Sequence, residues 1–219
     1  MNKFRKTFDH KYWLYDFTKL TGCLATGLFF RPKKVYIDKS NKSLRGRLII
    51  CANHTSYQDV VFLFTAIWQR RISFLATKDL FEKKFKGFFK NIGCIKVDKD
   101  NFDIDTIKQT VNVIDRGHAV CIFPEGQIHR DEDNHPFKSG IVMTAYLAKA
   151  DILPIYIPKR KSNWNRSVMI IGKRIKIKDL FKSQFPTIDE IESVTNQLNQ
   201  KVLELKQYYI NNIVRKKDK

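Results

Sequence analysis

Residues 48–68 read LIICANHTSYQDVVFLFTAIW, and this stretch decides the fold class. It begins with an apolar run, Leu48–Cys51, that is typical of a buried strand, and ends with another, Val60–Trp68, that is typical of a helix. His54 and Asp59 lie at the junction. On one continuous helix they would point about 140° apart, at roughly 100° per residue. They can meet only if His54 lies in the turn after the strand and Asp59 near the start of the helix, where the carboxylate could hold one imidazole nitrogen while the other faces a substrate.

The same alternation of short apolar runs and amphipathic segments extends from Val35 to Gly172. Seven runs are typical of strands: Val35–Ile37, Leu48–Cys51, Ile72–Ala76, Cys94–Val97, Ala119–Phe123, Ile152–Ile157 and Val168–Ile171. Four segments are typical of helices: Val60–Trp68, Leu80–Lys90, Ile104–Arg116 and Ile141–Ala148. Strands that alternate with helices predict an α/β fold with a mostly parallel sheet of about seven strands flanked by helices.

The two ends of the chain predict additional helices. Residues 1–34 combine lysines and arginines with aromatic and leucine side chains, which favours an amphipathic membrane-binding helix, or a helical pair broken near Gly22. A helix packed on the core is the alternative. Residues 35–219 are expected to form a single α/β domain whose C-terminal helix spans 188–213, because a capping box (Thr187–Glu190) precedes an apolar stripe.

The chain is strongly basic. Its 41 lysines and arginines outnumber 22 acidic residues, a formal charge of +19 that implies an anionic partner. A membrane surface, an anionic substrate or a nucleic acid would fit. The basic residues are spread along the chain without a helix-turn-helix, zinc-finger or RNP-like pattern, so no nucleic acid is expected. A non-enzymatic basic module that binds membranes or nucleic acid remains the alternative of a different class.

The cysteines and the N-terminus indicate the compartment. The four cysteines are widely spaced and form no Cys-x-x-Cys pair, which favours buried thiols in a reducing compartment. Asp16 and Lys19 interrupt what would be the apolar core of a secretory signal, and no stretch of 18 charge-free apolar residues is present. We therefore expect a peripheral or monotopic protein on the cytoplasmic face of a membrane.

Polar residues follow three of the predicted strands. His54 and Asp59 follow one strand, Asp98 and Lys99 another, and Pro124-Glu125-Gly126 a third. In open α/β sheets the loops beyond the carboxyl ends of the strands carry function, so these groups are expected to converge at one edge. The proline makes a rigid turn and the glycine allows close approach of a ligand, which leaves the glutamate to bond hydroxyls or orient basic residues.

Two stretches resemble signature blocks of the glycerolipid acyltransferases, the superfamily of 1-acylglycerol-3-phosphate acyltransferases. They are Asn53-His54-Thr55-Ser56-Tyr57-Gln58-Asp59 and Phe123-Pro124-Glu125-Gly126. Three further blocks agree in order and spacing with the superfamily: Gly93–Lys99, Phe137-Lys138-Ser139-Gly140 and Leu153-Pro154-Ile155-Tyr156. The resemblance covers roughly residues 45–172, and several ordered matches make chance improbable.

The resemblance implies an O-acyltransferase that moves a fatty acyl group from an acyl thioester to 1-acylglycerol-3-phosphate, giving phosphatidate in phospholipid biosynthesis. His54 would act as general base and Asp59 would fix its tautomer. Substrate binding would fall to Glu125 and Gly126, to Lys99 for the phosphate, and to Asp98 and Asn53. The partners implied are an anionic membrane surface, a lysophospholipid acceptor, and acyl-CoA or acyl carrier protein as donor, with no cofactor and no metal.

One position departs from the superfamily pattern. Members commonly read Glu-Gly-Thr-Arg, whereas this chain has Glu125-Gly126-Gln127-Ile128. The phosphate-binding arginine is absent at its usual place, and Arg130, or more weakly His129, could replace it. Without such a replacement the acceptor would be another lysolipid, such as a lyso-aminolipid or a glycolipid. Among the other histidines, His118 has no evident partner in the sequence and is expected to have a surface or capping role.

Overall fold

The computed structural model describes residues 13–77, 89, 92–97, 104–129, 135–160, 162, 165–181 and 185–215. Five helices lie in this part of the chain: α1 (Trp13–Phe30), α2 (Gln58–Ala66), α3 (Ile104–Asp115), α4 (Gly140–Leu147) and α5 (Ile188–Tyr209). The seven strands are β1 (Lys33–Tyr36), β2 (Leu48–Ala52), β3 (Ile72–Thr77), β4 (Ile95–Val97), β5 (Ala119–Ile122), β6 (Asp151–Tyr156) and β7 (Val168–Ile171). The helix predicted over Leu80–Lys90 and the site residues Asp98, Lys99 and Arg130 lie outside the described residues.

The seven strands form one sheet in the order β1-β7-β6-β2-β5-β3-β4. From β6 to β4, neighbouring strands pair in parallel. β7 pairs antiparallel with β6, and β1 pairs parallel with β7, so these two strands run opposite to the other five. The predicted α/β fold with a mostly parallel, seven-stranded sheet is confirmed. The first and last residues of each predicted strand lie within two positions of those of an observed strand.

The sheet separates two apolar cores. β2 is buried along its whole length, and its side chains alternate between the two faces. Ile49 and Cys51 join the core under α3, α4 and α5. Leu48, Ile50 and Ala52 join the core under α1 and α2. A helical layer therefore covers each face, which leaves the ends of the strands as the place where loops can form a site.

The N-terminal helix is continuous through Gly22, so the single helix is correct and the alternative of a pair broken there is not. One helical glycine costs only about 1 kcal/mol relative to alanine, which the contacts of α1 with α2 can offset. The boundary predicted at residue 34 falls inside β1. The long C-terminal helix is confirmed: it begins at the predicted capping box, and a π-helical turn over 210–214 extends it.

Polar contacts fasten the inner face of α1 to the core. The Tyr15 hydroxyl accepts a hydrogen bond from the Ile72 N–H at 2.8 Å. The Lys19 ammonium donates to the carbonyls that follow α2, Ile67 at 2.9 Å and Arg70 at 2.7 Å. Asp16 pairs with Arg71. The alternative of a helix packed on the core is therefore correct for this face of α1.

The outer face of α1 is apolar and exposed. Five side chains at helical spacing form it: Trp13, Phe17, Leu20, Leu24 and Leu28. We call these five residues the outer stripe. In the described part of the chain, no helix combines the length and the apolar character needed to cross a bilayer.

His118 is buried rather than on the surface, contrary to the sequence-based expectation. Its Nδ1 lies 3.3 Å from the Ser73 hydroxyl. Burial and, to a smaller extent, the neighbouring Arg71 and Arg70 guanidinium groups together lower the pKa of His118 to about 4. This histidine is a neutral core residue at physiological pH.

Candidate active site

The structure brings His54 and Asp59 together as the sequence predicts. His54 lies in the turn after β2, and Asp59 lies in the first turn of α2. His54 Nδ1 is 3.1 Å from Asp59 Oδ2, and both side chains are largely buried. A carboxylate can only accept, so Nδ1 carries the proton and Nε2 is left with a lone pair. The pair is therefore arranged as an oriented imidazole base.

Asp59 is held by the turn that it helps to form. Its Oδ2 also accepts hydrogen bonds from the backbone N–H groups of Thr55 and Ser56, both at 2.8 Å. Its own N–H donates to the Ser56 carbonyl at 3.0 Å. A carboxylate in the first turn of a helix is also favoured by the helix dipole, so several interactions hold Asp59 in place. This rigidity fixes the orientation of the imidazole.

A second turn, after β5, forms the other wall. β5 is the neighbour of β2, so Phe123–Gly126 lies beside His54. The Phe123 ring stacks on the His54 imidazole, with centroids 4.0 Å apart and planes at 16°. The His129 N–H donates to the His54 carbonyl at 2.9 Å, which joins the two turns. Two of the three predicted polar clusters therefore converge at one sheet edge, while the third, Asp98 and Lys99, lies outside the described residues.

Gly126 is required by its backbone conformation and by a neighbour. Its φ of +76° lies in the left-handed region, where a side chain is strained. A Cβ at this position would lie 2.9 Å from Cε and 3.0 Å from Nζ of Lys138. The Lys138 N–H also donates to the Pro124 carbonyl at 2.8 Å. The glycine thus lets the Lys138 side chain lie directly over the turn.

A cavity of about 1170 Å³ opens at this edge, and His54 lines it. Polar and small residues from both turns surround the histidine, among them Ser56, Gly126 and Gln127. The rest of the wall is mainly apolar and includes Phe30, Phe74, Ala76, Phe89, Val97 and Ile122. A polar end with a base and a long apolar remainder fit a ligand with a reactive head and a hydrocarbon chain.

Asn53, which the sequence predicts to bind substrate, is not among the residues that line this cavity. Its amide nitrogen donates to the Ile157 carbonyl at 2.9 Å, and its amide oxygen accepts from the Ile157 N–H at 2.7 Å. The side chain is buried. Asn53 therefore ties the turn after β2 to the end of β6 and supports His54 from behind. Glu125 is half-buried between two residues that do line the cavity, Pro124 and Gly126.

Two residues of this site were not assigned a role from the sequence. Phe123 stacks on the catalytic candidate, and Lys138 covers Gly126. Phe123 ends the apolar run Ala119–Phe123, so the sequence does not distinguish its ring from those of core residues. The signal for Lys138 was its place in the Phe137–Gly140 block, although nothing in the spacing related that block to Gly126.

Comparison with known proteins agrees with this geometry. The sequence model of the Acyltransferase family matches residues 34–158, which is more than half of the chain. The 1-acyl-sn-glycerol-3-phosphate acyltransferase of Bacillus subtilis is 30% identical over 178 residues, 78% of this chain and 87% of that protein. The enzyme of the same name from Streptococcus pneumoniae is 28% identical over 158 residues, 68% of this chain and 57% of that protein.

A solved structure has the same fold. The 1-acyl-sn-glycerophosphate acyltransferase of Thermotoga maritima superposes with a TM-score of 0.65 over 92% of this chain and 84% of that one, at 18% identity. The superposition supports the fold, while the match to the family and the Bacillus subtilis relative carry the assignment. Together with the His54–Asp59 pair, they show that the chain is a member of the acyltransferase family.

Proposed function

We propose that this acyltransferase moves a fatty acyl group from an acyl thioester to the free hydroxyl of 1-acylglycerol-3-phosphate, which gives phosphatidate. The relatives from Bacillus subtilis and Streptococcus pneumoniae carry the name of this activity. The observation that supports it best is the imidazole of His54, held by Asp59 at 3.1 Å on the wall of a cavity of about 1170 Å³ with a long apolar part.

The mechanism follows from the orientation of the imidazole. Nε2 of His54 takes the proton of the acceptor hydroxyl as its oxygen attacks the thioester carbonyl carbon. The Asp59 carboxylate stabilises the imidazolium that forms. The tetrahedral intermediate collapses, the carbon–sulfur bond breaks, and the imidazolium returns the proton to the leaving sulfur. The acyl group passes directly to the acceptor, so the mechanism requires no acyl-enzyme, metal or cofactor.

Acyl transfer to a panel of acceptors tests this proposal. Purified protein is given acyl-CoA or acyl-acyl carrier protein as donor, with lysophosphatidate, a lyso-aminolipid, a lysoglycolipid or 1-acylglycerol as acceptor. We expect phosphatidate to form from lysophosphatidate, and His54→Ala to abolish it. If no acceptor is acylated above the His54→Ala background, the proposal fails. Transfer only to acceptors without a phosphate would instead assign a different lysolipid, in keeping with Ile128, which lines the cavity at the usual arginine position.

We further propose that the outer stripe of α1 lies on the cytoplasmic face of an anionic membrane. Large apolar side chains without charge suit insertion to the depth of the headgroups. Exposed Arg31 and Lys33 directly follow the helix, and each basic residue near an anionic surface contributes about 1 kcal/mol. Phe30, at the end of α1, also lines the cavity. A membrane in contact with the outer stripe would therefore lie close to the cavity in which the lipid substrates react.

A further inference from the structure

Positive charge lies on two opposite sides of the cavity. In the described ranges the cations that line it are Lys138, Lys159 and Arg160. Lys138 lies over the turn after β5, whereas Lys159 and Arg160 follow β6. Because β2 lies between β5 and β6 in the sheet, the two groups flank the His54 turn on opposite sides. One cationic group is therefore available for each of the two anionic substrates, the lysophospholipid acceptor and the thioester donor.

Arg160 already has a structural role. Its guanidinium donates to the Phe29 carbonyl at 2.7 Å and to the Asn165 carbonyl at 2.9 Å. It also stacks over the Phe29 ring at 4.3 Å. A cation at the C-terminus of a helix is favoured by the helix dipole, so Arg160 stabilises the end of α1. Its guanidinium is thus oriented by the helix rather than by the cavity.

Lys138 is oriented by the turn that the superfamily resemblance assigns to the acceptor. Its Cδ, Cε and Nζ all lie within 3.2 Å of where a Cβ of Gly126 would be, so the stem lies along the turn and the ammonium reaches the cavity. Ile128, at the position where superfamily members commonly have the phosphate-binding arginine, lines the same cavity with an apolar side chain. A phosphate entering on this side would leave water and need a cation.

We propose that Lys138 binds the phosphate of the acceptor, beside a turn in which Ile128 occupies the position where superfamily members commonly have the phosphate-binding arginine. The inference rests on the proposed function, because it concerns the acceptor of that reaction. Lysine contacts phosphate as a compact point charge and needs no bidentate geometry, so an ammonium held over Gly126 can bind the phosphate without an arginine inside the turn.

A purely structural role for Lys138 is separable from this one. The aliphatic stem packs over Gly126, whereas the ammonium carries the charge. Lys138→Met keeps a stem of similar length and removes the charge, and Lys138→Arg keeps the charge. Lys138 is exposed, so neither substitution should unfold the protein. Lys108→Met, at an exposed lysine on α3, is the matched control for loss of one positive charge.

The test compares KM values for the two substrates. We expect Lys138→Met to raise KM for lysophosphatidate roughly 10- to 100-fold, the range for one charged hydrogen bond, with a much smaller change in kcat. KM for the thioester donor and kcat/KM for 1-acylglycerol, which has no phosphate, should stay within about twofold of the wild type. Lys138→Arg should recover most of the lost affinity, and Lys108→Met should have no effect.

Each other outcome overturns the inference. An unchanged KM for lysophosphatidate in Lys138→Met would show that another group binds the phosphate. A larger rise in KM for the donor would assign Lys138 to the thioester. Equal losses in Lys138→Met and Lys138→Arg, with lowered melting temperatures, would show a structural role. These outcomes all require wild-type activity on lysophosphatidate, so the absence of that activity is a separate result, which refutes the proposed function itself.

Discussion

The His54–Asp59 turn and the outer stripe of α1 lie in the same helical layer and differ in how they are fixed. The Asp59 carboxylate is bonded to His54 and to the turn by hydrogen bonds between residues at most five apart, and the side chains of both residues are largely buried. α1 is held by its inner face through contacts with residues about 50 positions away, and its outer stripe is exposed. Proton transfer needs a fixed geometry, whereas attachment to a surface needs mainly apolar area and charge.

The largest effect is expected from Asp59→Asn, which replaces one carboxylate oxygen by an NH₂ group. In Asp59→Asn an amide oxygen at the Oδ2 position can still accept from Thr55, Ser56 and His54 Nδ1, but the side chain carries no negative charge. The imidazolium that forms when His54 takes the proton of the acceptor would then lose the carboxylate that stabilises it. We expect kcat to fall by about 10²- to 10⁴-fold while the far-UV spectrum is unchanged.

Steady-state assays of Asp59→Asn beside Asp105→Asn provide this measurement. Asp105 is an exposed residue of α3, so its substitution controls for the loss of one carboxylate. Activity of Asp59→Asn within tenfold of the wild type would remove Asp59 from the proposed mechanism.

Substitutions in the outer stripe should have the opposite effect: membrane binding should be lost and acyl transfer should be retained. Leu20 and Leu24 are 81% and 73% exposed, so a double substitution to glutamate leaves the core unchanged. Since burying a leucine is worth about 1.5–3 kcal/mol, affinity for anionic vesicles should fall about 100-fold or more. Acyl transfer to a short-chain, water-soluble lysophosphatidate should be unchanged.

Co-sedimentation with vesicles measures that loss. Ile104→Glu with Ile188→Glu, at two exposed isoleucines on other helices, adds the same charge away from α1. Vesicle binding that falls equally in both double variants would mean that only net charge attracts the protein, and the membrane role of the stripe would be wrong.

The smallest effect concerns the inner face of α1 and depends on pH. Burial lowers the pKa of Lys19 to about 8, from an ordinary value of 10.5. Between pH 8 and 9.5 Lys19 therefore binds more protons in the unfolded chain than in the folded one, which adds a rise of up to about 1 kcal/mol per pH unit to the free energy of unfolding. Burial raises the pKa of the thiols of Cys23, Cys51, Cys94 and Cys121, which ionise in the unfolded chain over the same range and contribute a fall in the free energy of unfolding with pH. Above pH 10 the raised pKa of buried Tyr15 acts in the same direction as the thiols, since the tyrosine ionises more readily in the unfolded chain.

Urea unfolding at pH 7.5, 8.5 and 9.5 measures the slope of the free energy of unfolding against pH. In Lys19→Met this slope should be lower than in the wild type by up to about 1 kcal/mol per unit, whereas Lys108→Met, at an exposed lysine, should keep the wild-type slope. The same slope in Lys19→Met and in the wild type would assign the dependence to another group.

Local patterns predicted most of the fold and the centre of the site. Strands, helices and the His54–Asp59 contact depend on residues close in sequence, where periodicity and turn geometry act directly. The direction of β7 depends on its connection to β6. Only residues 157–167 separate the two strands, without a helical segment among those described, and a parallel pair needs a longer crossover. That signal was present in the sequence and favours the antiparallel pairing that is observed.

Long-range side-chain contacts could not be predicted in this way. Nothing in the spacing relates Tyr15 to Ile72, or Lys138 to Gly126, because each pair meets only after the sheet has formed. Asn53 was assigned to the substrate because it adjoins His54, although its amide bonds the backbone of Ile157, 104 positions away. A sequence motif does not show which of two adjacent side chains faces the cavity and which one bonds the backbone behind the turn.

The pairing of β1 with β7 at the edge of the sheet has a consequence for synthesis of the protein. Among the described strands β1 pairs only with β7, and about 130 residues separate the two in the chain. At 5–20 residues per second, β7 is synthesised roughly 7 to 27 s after β1. During that interval β1 has no strand to pair with, although α1 and its outer stripe are already made. The N-terminal segment therefore has time to meet a membrane or a chaperone before the sheet that will hold it is complete.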